Sequence, residues 1–132
     1  MEVLMDSGVL FVSPNLQDAR SLAQMLDDVP LPLVHAVSLK EAASKLETGN
    51  FKVVLTEATL EDGTWLDVLK VARLTATELV VTHPWADARF WAEAINRGAY
   101  DLLVQPFFGT EVRRVLASAS GRKLSMKAHA AA

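Results

Sequence analysis

Five short apolar runs, nearly continuous and rich in β-branched residues, constrain this chain more than any other feature. They are Val9-Leu-Phe-Val12, Leu33-Val-His-Ala-Val37, Lys52-Val-Val-Leu-Thr56, Leu79-Val-Val-Thr82 and Leu102-Leu-Val104. A strand with one wet face alternates apolar and polar residues. A run that is apolar throughout predicts a strand covered on both faces, as in parallel sheets.

Between the runs the spacing turns helical. Leu16, Ala19, Leu22, Ala23 and Leu26 share one face of a first helix that should end near Val29-Pro30. Ser38-Leu-Lys-Glu41 is a capping-box pattern opening a second, which should stop near Gly49. A third places Leu66, Leu69 and Ala72 in phase after Asp62-Gly63, and a fourth runs from about Ala86 to Arg97 and stops at Gly98. A fifth puts Val112, Val115, Leu116 and Ala119 on one face after Gly109-Thr110. Strand then helix, five times over, requires right-handed crossovers and helices on both faces of the sheet. The predicted fold is α/β: a five-stranded parallel sheet doubly wound by five helices, of the flavodoxin type. Such sheets place their functional crevice at the carboxyl ends of the strands. Ser13, Glu57, Thr82 and Gln105, which end four of the runs, are the candidate residues.

The chain has 132 residues, enough for one domain with a proper core, and 51% are hydrophobic against 22% charged, a globular composition. The expected domain is 8–120, with 1–7 as a lead-in and 121–132 as a tail, a linker remnant or an extension of the last helix. A formal net charge of −3, with no run of like charges, gives no basic footprint for nucleic acid and no polybasic membrane patch. Without cysteine, neither a disulfide framework nor a thiolate metal site can form. The N-terminus lacks a basic segment followed by a long apolar stretch, and no apolar run approaches membrane-spanning length. The expected location is cytoplasmic.

Two segments carry a resemblance. Leu60-Glu-Asp-Gly-Thr-Trp-Leu-Asp-Val-Leu69 is similar to L-P-D-G-x-G-L-x-L-L, and Gly98-Ala-Tyr-Asp-Leu-Leu-Val-Gln-Pro-Phe107 to G-A-x-D-Y-L-x-K-P-F. Both patterns occur in the receiver (CheY-like) domains of bacterial response regulators, and the likeness runs from Gly8 to about Ser120. The resemblance implies strand order 2-1-3-4-5 and a role in two-component phosphorelay signalling. It also implies a chemistry. An aspartate ending the third strand attacks a phosphoryl donor, and that aspartate and an acidic pair after the first strand hold Mg2+. A lysine before a proline offsets the phosphoryl charge, and a threonine and an aromatic residue register its arrival. Phosphoryl transfer is mainly positioning and charge neutralisation, so these roles are physically reasonable.

At those positions this chain departs from the pattern. Ser13 and Pro14 stand where the acidic pair would be, followed by the neutral amide of Asn15. Mg2+ is a hard cation that wants oxygen ligands in near-octahedral geometry, so the metal site reads as dismantled and no cofactor is expected. Glu57 occupies the acceptor position with about 1.5 Å of extra reach, and in-line attack tolerates roughly 1 Å of misplacement poorly. Gln105 replaces the lysine and can donate a hydrogen bond but carries no charge. Thr82 keeps the switch hydroxyl, while the aromatic position is Leu102, with Tyr100 two residues earlier. The expectation is a phosphorylation-independent pseudo-receiver acting by protein–protein contact, not an enzyme. Two alternatives stand beside it. One is a vestigial receiver still phosphorylated at Glu57 by a histidine kinase. The other is a small-ligand-binding flavodoxin-like protein, although the turn after the first strand has no glycine for a phosphate cradle.

Glu57 could mimic a phosphorylated aspartate, but mimicry works through a partner charge and Gln105 has none; the plainer reading is a solvated strand-end carboxylate. Gln105 is expected to hydrogen-bond Glu57 or Thr82. His83 lies near the same strand ends, yet one histidine and one carboxylate are too few for zinc. His35 reads as an ordinary buried or edge histidine. Trp91, in phase with Ala94, Ile95 and Gly98, is expected in the core, with Phe90 and Trp85 off that face and exposed. Together with Phe108, Arg113 and Arg114 they would extend the surface of the fourth helix, fifth strand and fifth helix, although the two arginines read equally well as a solvated helix face. The resemblance implies that this surface serves a homodimer or a protein partner such as a kinase, an output domain or another receiver.

Overall fold

The computed structural model describes residues 8–85 and 87–121. The expected lead-in at 1–7, the tail beyond Gly121, and Ala86 at the expected start of the fourth helix lie outside the described residues. The elements are β1 (Val9–Val12), α1 (Leu16–Met25), β2 (Leu33–Ala36), α2 (Leu39–Thr48), β3 (Val53–Glu57), α3 (Trp65–Leu74), β4 (Glu78–His83), α4 (Ala88–Arg97), β5 (Asp101–Val104) and α5 (Gly109–Ala119). Between β3 and α3, Thr59–Leu60 and Gly63–Thr64 pair antiparallel as a small hairpin.

The main sheet is parallel throughout, in the order β2-β1-β3-β4-β5. It is the doubly wound arrangement expected of buried apolar runs. All four residues of β1 are fully buried, because alternate side chains enter two separate cores. Leu10, Val12, Val54, Val81 and Leu102 pack beneath α2, α3 and α4, whereas Phe11, Leu55, Val80 and Leu103 pack beneath α1 and α5. Each such side chain contributes on the order of 1.5–3 kcal/mol of burial free energy.

Helix starts follow local chemistry. Asn15 caps α1 by accepting from the Asp18 amide at 3.0 Å, and Ser38 caps α2 by accepting from the Glu41 amide at 3.1 Å. Glu41 reaches back to the Val37 amide, one residue before the cap. Asp87 caps α4 through the Phe90 amide. Gly98 ends α4 at φ +117, in the left-handed region glycine favours. A Cβ there would also strike the Arg73 guanidinium, which donates to the Arg97 carbonyl at 2.7 Å.

Three expectations shift. α1 stops at Met25 rather than near Pro30, and Leu16 and Ala23 point outward from it. In α3 the buried stripe is Trp65, Val68, Leu69 and Ala72, with Leu66 half-buried at its edge. The earlier stop makes α1 shorter, whereas the changed faces are a matter of helix rotation, since one residue turns the face by about 100°.

The hairpin is fastened to α2. Asp62 accepts from the Leu39 and Lys40 amides at 2.9 and 3.0 Å. Those backbone bonds hold its carboxyl below the ordinary aspartate value of 3.8. A depressed carboxyl stabilises the fold above its unfolded value and loses that effect as pH falls through the folded one. The Leu39 and Lys40 amide resonances should therefore titrate together with a midpoint below 3.8, and Asp62→Asn should remove the step. A midpoint at or above the ordinary value would mean that the carboxylate is free of α2.

Candidate functional site

Strand register sets Ser13, Glu57 and Thr82 in one row, with Leu103 opposite Thr82 and Gln105 two residues further out on the same face. Phe11, Leu55, Val80 and Leu103 all face α1 and α5. Successive strand side chains alternate, so Ser13, Glu57, Thr82 and Gln105, each two residues further on, continue that face past the core at the carboxyl ends of β1, β3, β4 and β5. Glu57 stands opposite Thr82 in the pairing of β3 with β4.

Within the row, Ser13 is the organiser. It is fully buried, and its hydroxyl donates to Glu57 Oε2 at 2.5 Å while accepting from the Asn15 amide at 3.0 Å. The Ser13 carbonyl takes a hydrogen bond from His35 Nε2 at 2.7 Å. A carbonyl can only accept, so that nitrogen carries the proton. The His35 ring in turn stacks on Phe11, with centroids 5.9 Å apart and planes 24° apart. Glu57 is thus half-buried and tethered across the sheet to β1, where a solvated carboxylate was expected.

The expected bond from Gln105 to Glu57 or Thr82 does not form. Glu57 is turned toward β1 by the short bond from Ser13. The Thr82 hydroxyl and the Gln105 amide nitrogen are left buried, with no partner among the described residues. A buried polar group in that condition costs about 1–3 kcal/mol and is an invitation to a water or a ligand.

Mg2+, which the resemblance implies, is tested by the donors present. Glu57 is the only carboxylate in the row and is already bonded by Ser13, Pro14 is exposed with no donor atom to offer from its ring, and Asn15 spends its Oδ1 on the α1 cap. No group of three or more His, Cys, Asp or Glu comes together among the described residues. This set does not fit a cation that requires near-octahedral oxygen ligation.

The switch positions separate. Leu102 is buried in the core beneath α2, α3 and α4, whereas the Tyr100 ring, just before β5, packs against the α1/α5 core with its hydroxyl 2.5 Å from Ser118 Oγ. Tyr100 therefore lies on the opposite face and cannot stand in for the missing aromatic.

His83 is likewise parted from Glu57. Adjacent to Thr82 in β4, it points to the other face of the sheet, where its ring lies 5.1 Å from that of Phe90 and its Nδ1 accepts from the Trp85 amide. Phe90 also meets Trp65 edge to face at 6.4 Å. The expected roles of two aromatics are consequently exchanged: Phe90 packs inward with Ala94, and Trp91 is 49% exposed. The inward stripe of α4 is Phe90 and Ala94, one residue round from Trp91 and Ile95.

Trp85, Val104 and Phe108 are exposed, at 83%, 43% and 68%. Arg113 is not part of that outer surface, since its Nη1 donates to the Met25 carbonyl and ties α5 to the end of α1. Arg114 pairs with Glu111 at 3.8 Å on the solvated face of α5.

The sequence pattern did not reveal a groove of about 570 Å3 between α1 and the loops following β4 and β5. Its walls include Asp18, Met25, Trp85, Gln105, Pro106 and Phe107. Two prolines, Pro84 and Pro106, border the loops that shape it, which is the signal a reader could have used.

No family model and no curated relative matches the chain. Solved structures do. A signal receiver domain from Vibrio parahaemolyticus superposes with a TM-score of 0.82 at 19% identity, covering 93% of this chain and 96% of that one. The receiver domain of the Francisella response regulator 1452 gives 0.79 at 18% identity, over 89% and 99% of the two chains. The beryllofluoride-activated NtrC4 receiver domain dimer gives 0.78 at 22% identity, over 86% and 96%. The fold is that of response-regulator receiver (CheY-like) domains.

Proposed function

We propose that this chain is a receiver-type signalling module that works by protein–protein contact and without phosphorylation. The observation that carries the reading is the state of the crevice. Among the described residues, the one carboxylate in the strand-end row is tied to a serine hydroxyl, and the position that should supply a cation is a glutamine whose amide nitrogen has no partner. A phosphoryl group arriving at Glu57 would have to break the Ser13 bond, forgo a metal and place two negative charges beside neutral donors. With no acyl phosphate formed and no metal held, the domain is neither an enzyme nor cofactor-dependent.

Contact is then the remaining output. Receiver domains engage kinases, output domains or other receivers, and NtrC4 was solved as a dimer. In this chain Trp91, Val104 and Phe108 lie exposed on α4, on the edge strand β5 and at the start of α5, which favours that side for a second copy or another protein partner. Among the described residues no helix is long and apolar enough to cross a membrane.

The test is incubation with Mg2+ and acetyl phosphate or phosphoramidate, followed by intact-mass measurement. The expected spectrum is that of the unmodified chain. An acid-stable, base-labile adduct of phosphoryl mass on Glu57 would overturn the proposal in favour of a vestigial phosphoacceptor.

A further inference from the structure

The groove between α1 and the loops after β4 and β5 has the attributes of a small-molecule site that phosphoryl chemistry does not use. Its volume of about 570 Å3 lies within the roughly 300–1,000 Å3 of ligand clefts. It opens at the carboxyl ends of β4 and β5, where doubly wound sheets bind ligands.

Three kinds of surface meet there. Trp85, 83% exposed, stands with Met25, Pro106 and Phe107 as apolar walls suited to a flat ring. Gln105 lines the groove from just beyond β5, and its amide nitrogen is buried without an acceptor among the described residues, so a ligand carbonyl would draw that amide outward to meet it. Asp18, in the first turn of α1, supplies the only charge among the described lining residues.

These surfaces select by charge. No described Lys, Arg or His lines the groove, so a phosphate or carboxylate finds no counter-ion among its described walls and meets Asp18. A ring against the Trp85 indole, a carbonyl taking the Gln105 N–H and a positive charge facing Asp18 would each be complemented. The geometry points to a binding site for a small planar aromatic molecule, neutral or cationic, that carries a carbonyl acceptor. Occupancy requires neither phosphorylation nor the partner surface proposed above, so either idea can fail without the other.

A charge series on one ring tests this with the full chain. 1-Methylnicotinamide, methylated on the ring nitrogen, nicotinamide and nicotinate share the planar ring and a carbonyl but carry positive, zero and negative charge. In an NMR titration that follows the Trp85 indole N–H and the Gln105 side-chain amide, the cation should saturate with Kd on the order of 1 mM, as expected of so small a ligand. The neutral amide should bind about fivefold more weakly, and nicotinate should give no saturable shift. Asp18→Asn should bring the cation and the neutral compound together. Trp85→Ala, at an exposed position outside the core, should weaken both about tenfold. The proposal is overturned if none of the three compounds saturates, if nicotinate binds as well as the cation, or if Trp85→Ala leaves the affinities unchanged.

Discussion

Replacing Phe11 by alanine should destabilise the domain by about 3–5 kcal/mol, the usual cost of emptying a fully buried aromatic site. Phe11 is 0% exposed at the centre of β1, stacked on His35 and edge-on to Phe107 at 6.4 Å. Its loss removes one wall of the α1/α5 core and two props of the crevice. His35 steadies the Ser13 carbonyl, and Phe107 belongs to the loop that carries Gln105. Chemical denaturation measures the first effect, with a fall in Tm of roughly 10–20 °C as its thermal counterpart. Phe108→Ala is the control: the ring next along is 68% exposed, and its removal should change stability by no more than about 0.5 kcal/mol. A Phe11→Ala loss as small as that of the control would mean that the α1/α5 core is not packed as described.

The second large effect is a gain. The combined variant Ser13→Asp, Pro14→Asp, Glu57→Asp and Gln105→Lys should become labelled at position 57 by acetyl phosphate, in a Mg2+-dependent manner, where the parent chain is not. The scaffold already places the four positions at neighbouring strand ends, so only donors and charge are missing. The stability change has a definite sign. Removing the Ser13 hydroxyl breaks the 2.5 Å bond to residue 57, and gathering three carboxylates at one strand-end crevice adds like-charge repulsion. The variant should therefore be less stable than the parent without metal and recover on adding Mg2+, by about 2.7 kcal/mol at a hundredfold excess over Kd. Labelling of the parent chain to the same extent would show its crevice already competent. A variant that gains stability with Mg2+ yet stays unlabelled would show that donors and charge at these four positions are not sufficient for labelling.

How much of this was legible in the sequence differs by residue. The strands were, because a run such as Val9-Leu-Phe-Val12 can only be satisfied by burial on both faces, and that demand fixes the strand type before any neighbour is known. That Ser13, Pro14 and Gln105 bring neither a carboxylate nor an ammonium was legible as well, whatever their exact placement. The partner of Glu57 was not. A strand-end acid has several donors within reach, and the choice of Ser13 over Gln105 depends on β1, not β5, being the neighbour of β3. His83 and Thr82 are adjacent in the chain and were read as one locality, yet strand alternation sends them to opposite faces.

The aromatics of α4 make the same point for a helix. Phe90 and Trp91 are both large and apolar, and a short helix with several apolar positions admits more than one inward stripe. Packing against Trp65 and His83 decided for Phe90, leaving Trp91 outside.

The sequence by itself therefore determined the class of fold, the order of its elements and which functional groups stand at the strand ends, because these follow from periodicity and from residue identity. Only the tertiary structure decided which groups meet: Ser13 with Glu57, His35 with Ser13, Phe90 with Trp65, and the Thr82 hydroxyl and Gln105 amide nitrogen with no partner among the described residues. The physical reason is that periodicity constrains a face to within about one residue, whereas a hydrogen bond or a ring contact is made or lost over less than 1 Å, a precision that register and packing between distant segments alone supply.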